Sequence, residues 1–454
     1  MTEPSSQQRQ NPPTNNNNNN DNTNDQNHEE EEQQQTGIKT ATVDMSTLPL
    51  DWTKMGVGNN TNDSPDDHQL PIRYPHDVIE WTSDDIEVYS VGTAGQKITL
   101  LGDDFADPSK TNPELQTLVL RSHLIKDMAG LGTLTKLQLL ELYDNMVPAL
   151  DEESLKGCGP SLQTLDMSYN AIRDMSPVRF CATDALSNNI NSNLTELYLA
   201  NNKLKEIAGL SGLVQLKKLD LGANRIRVMN PHELGGLINL EELWIGKNKI
   251  EVIQGLEKLT KLRRLDVQSN RLTKIENLET QTKTLEELYL AHNGIDDEGA
   301  SQASGLAQIF PNLTVLDLSR NQLTTTAPFA HLTALEELWL SGNEMQDFDA
   351  VVPLKEASAQ MDSLETLYLE YNPLASDFEY RKKLAEWIPS LKQIDATMIG
   401  GRVGPAAYGV VGMQGTIGGG GAPAITMEER LRQLQEAAIE RAKQETKGIK
   451  GDNE

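Results

Sequence analysis

The stretch LEELWLSGN, Leu335 to Asn343, limits what this chain can fold into more than any other feature, because the chain keeps returning to it. Near-copies read LTELYLANN from Leu194, LEELWIGKN from Leu240 and LEELYLAHN from Leu285. Leucine or a similar residue holds positions 1, 4 and 6, and asparagine holds position 9. Eleven such units open at Leu115, Leu137, Leu162, Leu194, Leu216, Leu240, Leu262, Leu285, Leu313, Leu335 and Leu364. Units of this length cannot bury an apolar face alone, so they must stack and share one continuous core.

This spacing is the leucine-rich repeat pattern. It predicts an α/β solenoid with a curved parallel sheet on the concave face and short helices and 3-10 turns on the convex face. Residues 115–374 form the eleven repeats, 71–114 an N-terminal cap and 375–399 a C-terminal cap. The cap at 71–114 draws on Ile79, Trp81, Ile86, Val88, Tyr89 and Val91, with Ile98 and Leu100 as a candidate degenerate strand. The C-terminal cap draws on Phe378, Leu384, Trp387, Ile388, Leu391 and Ile394. The asparagines at position 9 belong to the scaffold, since an amide can both donate and accept where the chain leaves the strand. His123 stands in for the asparagine of the first repeat, and His292 is a surface residue.

The convex returns differ in length. The segment after Leu285 has room for a helix from about Asp297 to Ile309. The insertion after Leu162 contains Val178, Arg179 and Phe180, which invite comparison with phosphatase-docking peptides. Pro177 replaces the basic residue such peptides carry, and a variable surface loop is the plainer reading.

Outside the repeats the composition changes. Residues 1–80 hold four Lys or Arg against fourteen Asp or Glu and include the runs Asn15 to Asn20 and Glu29 to Glu32. Residues 1–70 are therefore expected to be a disordered acidic, Asn-rich tail. Residues 400–424 form a Gly-rich linker lacking the Gly-Lys-Ser/Thr ending of a phosphate loop. Residues 425–447 form a short amphipathic helix opened by a capping box of Thr426 and Glu429. The opening MTEPSSQQRQNPPT has no apolar h-region, so no leader is expected; no eighteen apolar residues run together, and the two cysteines, Cys158 and Cys181, are too few for a stapled secreted repeat protein. These features predict a protein of a reducing compartment. A formal charge of −27 disfavours nucleic-acid and anionic-membrane partners and favours a basic protein.

Strand alternation turns positions 3 and 5 to the concave side. Position 5 reads Val119, Glu141, Asp166, Tyr198, Asp220, Trp244, Asp266, Tyr289, Asp317, Trp339 and Tyr368, with acid and aromatic alternating from Asp166 to Trp339. Glu196, Glu242, Glu287 and Glu337 stand at position 3 beside the four aromatics from Tyr198 to Trp339. Carboxylates and rings of this kind keep a solenoid face soluble and cover its strands. Their regularity points further, to a protein-binding face, because exposed Trp and Tyr anchor interfaces and an acidic field steers a basic partner. No catalytic constellation, cofactor site or metal-ligand spacing stands out, and carboxylates on an open face are expected to keep ordinary pKa values. A non-enzyme is predicted.

The phrases LGANRIRVM, LWIGKNKI, LDVQSNRLTKIENL and LEELYLAHNGI and the closing LETLYLEYNPLASDFEYRKKLAEWIPSLKQIDATMI resemble the leucine-rich-repeat regulatory subunit of protein phosphatase 1, the regulatory subunit 7 family, over about residues 115 to 399. The resemblance implies a non-catalytic subunit in nucleus and cytoplasm, active in the cell cycle. It implies that the phosphatase catalytic subunit is bound through the concave face, with contacts at Asp166, Tyr198, Asp220, Trp244, Asp317, Glu337, Trp339 and Tyr368. Asp266 and Tyr289 join this set from the stripe itself. The alternative is a capped scaffold of a ribonucleoprotein or axonemal complex.

Overall fold

The computed structural model describes residues 71–82, 84–182 and 192–399. The acidic tail, the Gly-rich linker and the amphipathic helix expected at the two ends lie outside the described residues.

Fourteen strands among the described residues make one sheet in strict chain order. They are β1 (Glu87–Val91), β2 (Thr117–Arg121), β3 (Leu139–Glu141), β4 (Thr164–Asp166), β5 (Glu196–Tyr198), β6 (Lys218–Asp220), β7 (Glu242–Trp244), β8 (Arg264–Asp266), β9 (Glu287–Tyr289), β10 (Val315–Asp317), β11 (Glu337–Trp339), β12 (Thr366–Tyr368), β13 (Gln393–Ile394) and β14 (Thr397–Met398). All pairs are parallel except the last, where β13 and β14 close the C-terminal edge as an antiparallel pair. The helices are short: α1 (Glu152–Cys158), α2 (Pro231–Leu234), α3 (Asp297–Ala300), α4 (Val352–Ala357) and α5 (Tyr380–Trp387).

Pairing is in register, so equivalent positions of successive repeats stand side by side. Leu197 faces Leu219, which faces Leu243, and the leucines at positions 1, 4 and 6 are fully buried in one core running through the solenoid. Each buried leucine contributes about 1.5–3 kcal/mol, and every strand has a neighbour to bury it against.

The asparagines tie these layers together. In the middle of the array the Asn248 amide nitrogen donates to the carbonyls of Leu221, Ile245 and Gly246, while its Oδ1 accepts the Ile226 N–H at 2.9 Å. Two of these partners belong to the preceding repeat. The residue just before position 9, the asparagine in ten repeats and His123 in the first, sits in the left-handed region in every repeat, from Ser122 (φ 55°) to Tyr371 (φ 61°), although only Gly342 is a glycine. The amide bonds hold a backbone conformation that the side chains themselves do not favour.

His123 occupies the asparagine place of the first repeat. Its Nδ1 accepts the Ile98 N–H at 3.2 Å and its Nε2 lies 3.1 Å from Ser90 Oγ. The cap strand is consequently β1, not the Ile98–Leu100 segment expected: Ile98 is buried but spends its N–H on His123, while Val88 supplies the core residue of β1. At the other end Asp395 takes over. Its Oδ1 accepts the N–H groups of Leu369 and Glu370, and Arg381 donates to Oδ2 at 3.1 Å. Leu384, Ile388, Leu391 and Ile394 pack into this cap, Trp387 is partly buried, and Phe378 is 96% exposed, contrary to expectation.

Two further expectations are corrected. The helix after Leu285 stops at Ala300, because the carbonyls of Gly299 and Ser304 accept N–H bonds from Ile275 and Leu278 of the preceding repeat instead of continuing a helical ladder. A side chain at Gly305 would collide with the Ile275 carbonyl, so this close approach requires glycine. Ser176–Ala182, expected as part of a variable surface loop, is a 3-10 turn with Val178 fully buried in the core and Arg179 paired to Glu152 at 3.0 Å, and the buried valine agrees with setting the docking-peptide comparison aside. Both cysteines are buried thiols. Among the described residues no helix is long and apolar enough to cross a membrane.

Replacing Asn248 by alanine strands several buried backbone groups at once. The expected loss is about 3 kcal/mol, read as a lowered urea midpoint, whereas Lys249→Ala one residue on should change stability by less than about 0.5 kcal/mol. Equal effects of the two substitutions would refute the role given to the amide.

Candidate protein-binding face

In each strand from β4 to β12 the middle leucine is buried and the flanking residues turn to the open face. The register brings the position 5 residues into one row: Asp166 beside Tyr198, then Asp220, Trp244, Asp266, Tyr289, Asp317, Trp339 and Tyr368. At parallel-strand spacing, about 4.8 Å, each of Asp220, Asp266 and Asp317 stands between two rings.

The aspartates are not the freely exposed carboxylates the sequence suggested. Oδ1 of Asp166, Asp220, Asp266 and Asp317 accepts the N–H two residues on, from Ser168, Gly222, Gln268 and Ser319, at 2.8 to 2.9 Å. Asp266 and Asp317 are buried, and Asp166 and Asp220 are partly exposed. Burial pushes the carboxyl pKa of Asp166 up to about 7 and those of Asp220 and Asp266 up to about 6, against the opposing pull of the backbone N–H. Asp317 is raised for the same reason. A short side chain flanked by long ones loses water, so the expectation of ordinary pKa values fails. These residues anchor the turn after the strand and floor the face.

The aromatics stand over this floor, braced by the glutamates at position 3. The Tyr198 hydroxyl donates to Glu196 at 3.1 Å, Tyr289 to Glu287 at 2.7 Å, and Trp339 Nε1 to Glu337 at 3.1 Å. Trp244 differs: the Arg264 guanidinium lies over its ring, 5.8 Å from the centroid.

Position 3 also holds Lys218 and Arg264, which sequence reasoning passed over. Lys218 lies 3.5 Å from Glu196, and Arg264 lies 3.6 Å from Glu242 and makes two bonds to Glu287 at 2.8 and 2.6 Å. The row Glu196, Lys218, Glu242, Arg264, Glu287 therefore alternates in sign and is partly self-neutralised. The signal was readable, since both basic residues stand two places before an aspartate of the stripe. Toward the C-terminus the alternation ends. Glu337 has Val315 and Thr366 as its register neighbours and, among the described residues, no ion-pair partner. The Trp339 and Tyr368 rings meet at 5.4 Å, and Gln393 donates to the Tyr368 hydroxyl at 2.7 Å. Acid without a basic neighbour and paired rings coincide at this end.

The raised aspartate pKa values have a stability consequence of definite sign. A carboxyl that holds its proton more tightly folded than unfolded contributes stability fully present below its unfolded pKa, about 4, and lost as pH rises through the folded value. The urea midpoint should fall between about pH 5 and pH 7.5, and Asp166→Asn with Asp220→Asn and Asp266→Asn should flatten that slope. A slope unchanged in the triple variant would show that the carboxyls titrate elsewhere.

Comparison with known proteins agrees with the architecture. Leucine-rich-repeat models match residues 160–174, 192–228, 214–272, 283–331 and 311–355. The chain is 40% identical over 72 residues to the protein phosphatase 1 regulatory subunit SDS22 of Schizosaccharomyces pombe, which covers 15% of this chain and 21% of that protein. It is 57% identical over 37 residues to protein phosphatase 1 regulatory subunit 7 of Homo sapiens, 8% of this chain and 10% of the relative. The chain thus spans about a fifth or less of the length of these relatives. A solved leucine-rich-repeat protein of Leptospira interrogans aligns over 65% of this chain and 69% of its own with a TM-score of 0.54 at 24% identity, which speaks to the fold alone. In repeat pattern, strand order and core, this chain is a leucine-rich-repeat solenoid.

Proposed function

We propose that the chain is a non-catalytic regulatory subunit that binds the catalytic subunit of protein phosphatase 1 through the open face of β4–β12. By holding it, the chain controls its assembly, availability or localisation in nucleus and cytoplasm. The observation that carries this reading is the patch of Glu337, Trp339 and Tyr368, where two rings in contact adjoin a carboxylate that has no ion-pair partner among the described residues. Such a patch offers aromatic anchors to a partner and an unspent negative charge to its basic residues. The alternating stripe from Asp166 to Tyr289 extends the surface across further strands, and the similarity to two proteins named as phosphatase 1 regulatory subunits supports the choice of partner.

The Asp166, Asp220, Asp266 and Asp317 carboxylates have a smaller direct part in this reading than the rings and glutamates, because each already accepts a backbone N–H. Their main contribution is to fix the height and spacing of Tyr198, Trp244, Tyr289 and Trp339.

Purified protein should capture the catalytic subunit of protein phosphatase 1. Glu337→Ala with Trp339→Ala should weaken capture by about thirtyfold or more, the equivalent of one anchor worth about 2 kcal/mol, with the urea midpoint little changed. Calorimetric titration gives the affinity. Undiminished capture by the double variant would overturn the assignment of the face. Capture from lysate of a different main partner would make the chain a scaffold of another complex, ribonucleoprotein or axonemal.

A further inference from the structure

Beside the acidic and aromatic face runs a second row of opposite sign. In the five repeats from Leu162 to Leu262 the three residues after the asparagine, numbered 10 to 12 of the repeat, belong to no helix. The position 10 N–H donates to the position 11 carbonyl of the preceding repeat: Lys203 to Ile172, Arg225 to Leu204, Lys249 to Ile226 and Arg271 to Ile250, each at 2.8 Å. The residues at position 11, Ile172, Leu204, Ile226, Ile250 and Leu272, are all fully buried. Positions 10 and 12 turn outward on both sides of the buried one.

Position 10 is Lys203, Arg225, Lys249 and Arg271 in four successive repeats, and position 12 is Arg173, Lys205 and Arg227 in the three repeats from Leu162. Glu251 is the one acid at these two positions across the five repeats from Leu162 to Leu262. In a chain with 67 acidic and 40 basic residues this is a strong local inversion of charge. Lys203 and Lys249 are partly exposed and the other five cations are exposed. Arg271 reaches Glu251 at 3.9 Å; Arg173, Lys203, Lys205, Arg225, Arg227 and Lys249 have no ion pair among the described residues. The cations are carried on a hydrogen-bonded ladder at strand spacing, so they form a comb about 20 Å long rather than a scatter of mobile charges.

We propose that this ridge is a second docking surface, which takes a short, extended, acidic segment of a partner protein. An extended peptide of about six residues spans the comb. Its carboxylates would meet six cations that have no ion pair among the described residues, Arg271 alone being paired, to Glu251. The partner's chemistry follows from the extent of the charge: a nucleic acid would run beyond five repeats onto a chain of net charge −27, whereas a short acidic segment ends within the basic zone. The ridge is separate from Glu337, Trp339 and Tyr368, so it stands or falls independently of the proposed phosphatase contact.

The test is fluorescence anisotropy with the full chain and a labelled oligoglutamate peptide long enough to span the ridge. Binding that weakens as salt is added is expected. Arg225→Glu with Lys249→Glu and Arg271→Glu should lower affinity by about tenfold or more. Lys136→Glu with Lys258→Glu and Lys283→Glu changes the net charge equally at exposed positions elsewhere and should have little effect. Circular dichroism of both variants should match that of the unaltered chain. Three results overturn the proposal: no binding to the unaltered chain, equal loss in both triple variants, or tighter binding of an oligouridylate of equal charge at the same residues.

Discussion

Each repeat is joined to the one before it through a buried side-chain amide, and the rest of the molecule depends on that joint. Leucines supply most of the free energy, but leucine against leucine is non-directional and would tolerate a slipped layer. The asparagine removes that freedom. Asn248 binds carbonyls and an N–H in two repeats at once, and displacement by one residue would leave all of these groups buried and unpaired. The amide also accounts for the left-handed residue before it, which is Asp, Tyr, Asn, Ala, Lys, Ser, His, Arg or Gly in different repeats. What is shared there is the bond pattern that follows, not the side chain.

Register is what converts a one-dimensional pattern into a surface. Because Leu165, Leu197 and Leu219 are aligned across strands, so are Asp166, Tyr198 and Asp220 beside them. Every second residue of a three-residue strand belongs to the core and the other two to the face, so neither can drift without the other. The face is in this sense preorganised: its rings are braced by Glu196, Glu287 and Glu337 and its floor is pinned by aspartates bonded to their own turns. A partner that docks on such a surface has little side-chain entropy left to remove, which favours affinity per contact.

The period and the inward leucines were legible in the sequence because each repeat states them again, and the stripe was legible for the same reason. Whatever depended on a neighbouring repeat was not. Asp166 reads as an exposed acid in its own strand, but in the stacked sheet, with Tyr198 as a register neighbour, it is desolvated. The helix foreseen from Asp297 to Ile309 fits the local composition, but Ile275 and Leu278 of the preceding repeat claim its carbonyls. Ile98 has the character of a strand residue, yet His123 takes its N–H and leaves the edge to Val88. Phe378 marks the reverse case, an apolar residue counted into the cap that the cap leaves outside.

Charge shows the same limit at larger scale. A net charge of −27 suggests a uniformly acidic molecule, and on that basis only basic partners come to mind. The repeat sorts its charges by position instead. Positions 3 and 5 hold acids and rings, with Lys218 and Arg264 interleaved so that the position 3 row is partly self-neutralised in its middle. Positions 10 and 12 gather the cations from Arg173 to Arg271 on the adjoining edge. Charges one strand apart, about 4.8 Å, lie within the Debye length of about 8 Å at physiological salt, so they are little screened: opposite signs offset one another in the position 3 row, and like signs reinforce one another on the cationic edge. The average charge then predicts solubility and little else. A solenoid that keeps strict register can present surfaces of opposite sign side by side.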